Sequence, residues 1–170
     1  STERQSILGL PLPGVCSSLL VPGLGCVNGC RFCSTTHFFG KTYTSYLDSG
    51  RAIFENAVRI ADERGTDSFF VMDENFLKDT RRARELLAEM EREQRFFRFR
   101  IFSSAEAILA FGLDDLVRLG VDFIWMGVET KSRAANFTKN VGVDPQWLVR
   151  ELRERGINVL VSGILCMEQH

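Results

Sequence analysis

Short apolar runs alternate with longer amphipathic stretches along the chain, and a glycine marks three of the changeovers. Charged stretches end at Arg64-Gly65, Leu119-Gly120 and Arg155-Gly156. The runs Ser68-Phe69-Phe70-Val71-Met72, Phe123-Ile124-Trp125-Met126 and Val159-Leu160-Val161 follow them. Glycine just past a helix can take the left-handed conformation that ends it, and a short, wholly apolar run suits a strand covered on both faces, as in a parallel sheet. The stretches between carry helical stripes. Ile53, Ala57, Ile60 and Ala61 make one, and Ala83, Leu86, Leu87 and Met90 make another behind a cap at Asp79 or Thr80. Asp144-Pro145 reads as an N-cap with proline at the first helical position, opening a helix to about Arg155. Residues 105–119 are expected to be helical, and the alternation of Phe and Arg from Phe97 to Phe102 predicts a strand.

Five strands result, near 15–21, 67–72, 97–102, 121–128 and 157–165, with four helical regions between them. Right-handed crossovers would curl such a sheet into a partial (β/α) barrel, an α/β fold. Residues 1–170 read as one domain. No helix is expected to cover the last strand, so the chain is expected to be a piece of a longer protein with an exposed sheet edge.

Composition narrows the partners. With 45% apolar residues and a formal net charge of -1 the chain is an ordinary globular sequence, and its interspersed charges give no electrostatic reason to expect DNA or an anionic membrane. No apolar run approaches the ~20 residues that span a bilayer, and Ser1-Thr2-Glu3-Arg4-Gln5 lacks the features of a signal peptide. A cytoplasmic location and a small-molecule substrate are the expectations. Five cysteines, three of them within eight residues, suggest a metal site in a reducing compartment rather than a disulfide framework.

Those three are Cys26, Cys30 and Cys33, in the loop after the first strand. Loops at the carboxyl ends of parallel strands are where such folds place chemistry, and Gly25 and Gly29 let the backbone wrap closely around an inorganic core. Three thiolates can hold three irons of a 4Fe-4S cubane and leave the fourth iron open. His37, four residues past Cys33, also allows a Cys3His zinc set.

The C-x3-C-x-aromatic-C pattern, with Phe32 before the last cysteine, resembles the radical S-adenosylmethionine (SAM) superfamily. The resemblance implies that the methionyl amine and carboxylate of SAM chelate the open iron. One electron then cleaves the sulfonium to a 5'-deoxyadenosyl radical that takes hydrogen from a substrate. Phe32 would lie near the adenine, and a ferredoxin or flavodoxin would be the reductant.

Further along, Met72-Asp73-Glu74-Asn75-Phe76 stands where many members carry Gly-Gly-Glu. This acidic version is similar to the branch whose members carry a cobalamin-binding domain, and Asp73, Glu74 and Asn75 would offer carbonyl or side-chain acceptors to the methionyl ammonium. A polar strand exit with capping carboxylates fits the same residues. Trp125-Met126-Gly127-Val128-Glu129-Thr130 resembles the Gly-Ile-Glu-Ser segment of that branch, with Glu129 directed toward the cofactor. The cation for the methionyl carboxylate lies between Arg133 and Lys139. Ser103 and Ser104 suit either ribose or carboxylate binding or a helix cap, and Gly163 and Ile164 match the adenine-contact region. Cys16 reads as a small buried hydrophobe, and Cys166 is left without a chemical role. The Arg95 to Arg100 stretch fits a half-exposed strand better than a surface for stacking RNA bases.

The leading expectation is therefore a radical SAM core from a cobalamin-dependent methyltransferase or rearrangement enzyme, the cobalamin domain preceding Ser1 in the parent protein. The alternatives are a methylthiotransferase-like enzyme, whose extra cysteine-rich cluster domain is not found here, and a noncatalytic zinc or iron-sulfur scaffold.

Overall fold

The computed structural model of the chain describes residues 6–7, 10–11, 17–129 and 142–164. Five parallel strands form its centre: β3 (Ser18–Leu20), β6 (Ser68–Val71), β7 (Arg98–Phe102), β8 (Val121–Glu129) and β9 (Asn158–Gly163) lie side by side in chain order. Each expected strand is thus present. Two two-stranded antiparallel pairs accompany them, β1 (Ser6–Ile7) with β2 (Leu10–Pro11) and β4 (Gly23–Gly25) with β5 (Tyr43–Ser45).

The helices are α1 (Ser34–Phe38), α2 (Gly50–Arg64), α3 (Thr80–Arg92), α4 (Ala105–Phe111), α5 (Leu113–Leu119) and α6 (Pro145–Glu154). Their ends follow the sequence signals. Asp79 accepts from the Arg82 N–H as the cap of α3, and Asp144 accepts from the N–H groups of Gln146 and Trp147 ahead of α6. Gly65, Gly120 and Gly156 have φ of 64°, 83° and 81°, the left-handed geometry expected after a helix. Residues 105–119 are helical as expected, divided into two helices. Gly112, at φ 104° and ψ 135°, leaves the helical region, and the chain turns there between α4 and α5.

Burial alternates along the strands. Leu20, Phe69, Val71, Phe99, Ile101, Ile124 and Met126 turn to one face, where they join the apolar sides of the helices, among them Ile53, Ala57, Leu86, Met90, Ile108, Leu116 and Leu148. Burying each large apolar side chain contributes about 1.5–3 kcal/mol before the loss of chain entropy is counted. The other face, the concave side of a partial barrel, carries Leu19, Phe70, Phe102, Trp125 and Leu160; the register sets Leu19 opposite Phe70 and Trp125 opposite both Phe102 and Leu160, while Phe70 stands opposite Arg100.

The Phe and Arg alternation resolves in the same way. Phe97 and Phe99 are core residues, while Arg95, Arg98 and Arg100 pair with Asp62, Asp67 and Asp122. That stretch is a half-exposed strand whose arginines are each paired with an aspartate. No helix among the described residues is long and apolar enough to cross a membrane.

Candidate functional site

Parallel strands all release their chains at one edge, and this edge collects most of the residues singled out in the sequence. The cysteine loop leaves after β3 and β4. Asp73, Glu74 and Asn75 follow β6, Ser103 and Ser104 follow β7, Glu129 ends β8, and Ile164 follows β9, whose Gly163 stands opposite Glu129 in register. The Glu129 side chain, Arg133 and Lys139 lie outside the described residues, as do Cys16 and Cys166.

The cysteine loop is closed at its base by a hairpin not expected from the sequence. β4 and β5 pair Gly23 with Ser45 and Gly25 with Tyr43, so residues 26–42 form a loop whose two ends are hydrogen-bonded together. Gly25 and Gly29 have φ of 97° and 69°, and a Cβ at Gly25 would stand 2.3 Å from the Thr42 carbonyl oxygen. A side chain there would break the hairpin. Within the loop the Cys33 N–H donates to the Cys30 carbonyl at 3.1 Å, and Cys33 occupies the N-cap position of the short α1. Cys26, Cys30 and Cys33 are all partly exposed and carry thiols rather than disulfides. Burial pushes the Cys33 thiol up, but polar contacts from the backbone and hydroxyls of Thr36 and Thr35 outweigh it and hold the group below its ordinary range.

These donors fit an iron-sulfur cluster. They are soft thiols in a tight, glycine-shaped loop, and they number one fewer than the irons of a cubane. The His37 ring is exposed, with Nε2 against the Arg31 carbonyl at 2.8 Å, and among the described residues no three His, Cys, Asp or Glu side chains gather around a single ion position.

Beside Cys26 opens a cavity of about 380 Å³, whose walls include Gly25, Tyr43, Asp73, Asn75 and Arg82. Its polar walls are bonded to one another. Arg82 donates from Nη2 to Asp73 Oδ2 and from Nη1 to the Tyr43 hydroxyl, both at 2.6 Å, and Tyr43 donates to the same Asp73 oxygen at 2.6 Å. Asp73 Oδ1 accepts from the Asn75 N–H. The side chains of Arg82 and Asp73 are 3% and 2% exposed, so this is a buried ion pair whose partners need one another. Burial and the Asp73 carboxylate push the Tyr43 phenol up to about 12 against the opposing pull of Arg82. The Arg82 Nε is buried and makes no hydrogen bond among the described residues.

Asn75 makes a second clamp. Its Oδ1 accepts from the Ser103 hydroxyl and the Ser104 N–H, and its Nδ2 donates to the Ser104 hydroxyl, tying the exit of β6 to that of β7. The side chains of Asp73, Asn75, Ser103 and Ser104 are therefore engaged in holding the strand exits. Glu74 is exposed. Phe32 is half-buried next to Cys33. Gly163 and Ile164 are exposed at the rim.

Tyr43 and Arg82 were not singled out in the sequence. Arg82 did leave a trace, because it lies at i, i+4 and i+8 with Leu86 and Met90 and so puts a charge in the apolar stripe of α3. Tyr43, 30 residues before Asp73, left none.

Comparison with known proteins agrees with this geometry. The family model for the radical SAM superfamily matches residues 20–169. Cytidylyl-2-hydroxyethylphosphonate methyltransferase of Streptomyces wedmorensis is 39% identical over 62 residues, covering 36% of this chain and 11% of that protein. The fold is shared with the radical S-adenosylmethionine methyltransferase TsrM of Kitasatospora setae, solved with cobalamin and a 4Fe-4S cluster bound. The TM-score is 0.70 at 19% identity, covering 86% of this chain and 30% of that one. The chain thus spans under a third of the length of either relative. Its family is nonetheless fixed by a match over most of its residues: the chain belongs to the radical SAM superfamily.

Proposed function

We propose that this chain is the cluster- and SAM-binding core of a cobalamin-dependent methyltransferase acting on a small molecule. The cysteine loop carries the reading, with three thiols held by a hairpin at the carboxyl edge of a parallel sheet. The methyltransferase assignment rests on the Streptomyces relative, and the cobalamin on the ligand of the Kitasatospora enzyme. A cobalamin domain would lie in the parent protein outside these residues.

In this reading Cys26, Cys30 and Cys33 each hold one iron. When bound, the cluster supplies the electron that cleaves the SAM sulfonium. The chain's own residues bind, orient and shield. With the Asp73 and Asn75 side chains engaged elsewhere, the methionyl ammonium is taken by main-chain carbonyls of the β6 exit and by the exposed Glu74 carboxylate. Phe32 stands by the adenine, with Gly163 and Ile164 at the far rim. By the resemblance Glu129 would serve the cofactor and Arg133 or Lys139 would neutralise the methionyl carboxylate, while Ser103 contributes by fixing Asn75. The aromatic row Phe70, Phe102 and Trp125, with ring centroids 5.4 and 5.3 Å apart, lines the concave face and keeps water from the reacting region. A cytoplasmic setting with a ferredoxin or flavodoxin as reductant completes the proposal.

The test is anaerobic iron-sulfur reconstitution followed by electron paramagnetic resonance of the reduced protein with and without SAM. A cubane signal that changes on adding SAM supports the open-iron site. Stoichiometric zinc with no cluster refutes it. Loss of methyl transfer when cobalamin is withheld from the whole protein tests the branch.

A further inference from the structure

We infer that Tyr43 is a positioning residue for SAM: its hydroxyl, held between Asp73 and Arg82, sets the cysteine loop against the exit of β6. The inference rests on the reading above, in which SAM is gripped at two places, the open iron of the cluster and the Asp73 to Asn75 segment. A ligand held at two places senses the distance between them, and a displacement of about 1 Å can cost a large factor in productive binding.

The loop and the segment belong to different elements. The loop hangs from the β4 and β5 hairpin, which is a separate small sheet, while Asp73 and Asn75 continue from β6 of the main sheet. Tyr43 is a side chain that joins the two. It lies on β5 opposite Gly25, the residue before Cys26, and its hydroxyl meets Asp73 and Arg82 at 2.6 Å each. The Arg82 guanidinium sits 5.4 Å from the Tyr43 ring centre and 5.6 Å from that of Phe76, so ring and hydroxyl are both held. The hairpin has made room for this contact: a Cβ on Gly23 would stand 2.3 Å from the Tyr43 oxygen. Glycine at that place is what allows the tyrosine to turn across β4 toward the sheet.

Arg82 and Asp73 would remain paired without the hydroxyl, which makes Tyr43→Phe a mild change for the fold and a direct one for the lock. The experiment uses the whole protein with its cluster reconstituted anaerobically. In Tyr43→Phe, iron content and the cubane signal should match the unaltered protein. The SAM concentration that half-converts the signal should rise about tenfold, the scale of one lost hydrogen bond to a charged group. In the iron-free protein the amides of residues 26–45 should exchange faster, while those of β7 and β8 keep their protection.

A purely structural tyrosine would speed exchange and lower thermal stability without moving the SAM midpoint, and that result overturns the inference. So does a variant identical to the unaltered protein in both measurements. If the unaltered protein itself takes up a cluster but its signal ignores SAM, the open-iron reading fails first and this inference falls with it.

Discussion

The two faces of the five-stranded sheet are built from the same strands, one residue out of step, yet they have opposite fates. On the helix-covered face Phe69, Val71, Phe99, Ile101, Ile124 and Met126 are wholly buried. On the concave face Leu19 is 62%, Trp125 39% and Leu160 43% exposed, and Phe70 and Phe102 are half-buried. Water-facing apolar side chains contribute little to stability, and a contiguous row of them marks a surface meant to meet something. Stability and recognition are thus separated by a single step of the β pleat.

The contrast can be broken by truncation. Phe69→Ala, on the closed face, should cost about 3–5 kcal/mol in urea unfolding, because it leaves a cavity among rigid neighbours. Asp73→Ala, at the rim between the faces, should cost about 3 kcal/mol by the same measurement, since Arg82 would keep a buried charge without its partner. Phe102→Ala on the open face should cost about 1 kcal/mol, and Leu19→Ser should stay within about 0.5 kcal/mol. If Phe102→Ala proved as damaging as Phe69→Ala, the concave face would be core and the division would be wrong.

A further small effect is a pH dependence. The Tyr43 phenol is pushed from 10.0 to about 12 in the folded chain, so the fold favours its protonated form. The resulting stabilisation is complete below pH 10 and is lost as pH rises toward 12, because the unfolded chain sheds the proton first. Solvent screening of this half-buried group keeps it under about 1 kcal/mol. Unfolding free energies measured across pH 9 to 12 should fall less steeply in Tyr43→Phe.

How far the sequence reached follows from the range of each interaction. The parallel strands, the end of α2, the start of α3 and both ends of α6 were legible because period, caps and terminal glycines are local signals. The division at Gly112 was not, since the apolar residues on either side, Ile108, Phe111 and Leu116, continue a helical spacing through the glycine. The hairpin was hidden because Tyr43-Thr44-Ser45 is short and lacks an apolar run. The cysteines announced themselves by spacing alone. What Asp73 does could not be read, because its partners lie 9 residues ahead and 30 behind, and a carboxylate at a strand exit looks the same whether it awaits a ligand or is engaged with an arginine.

The β4 and β5 hairpin bears on how the metal centre is assembled. The ends of the 26–42 loop are tied by backbone hydrogen bonds and by a tyrosine anchored in the sheet, none of which involves iron. Cys26, Cys30 and Cys33 lie within eight residues of one another inside a loop whose ends the chain itself joins, and closing that loop restricts the space the three thiols can explore.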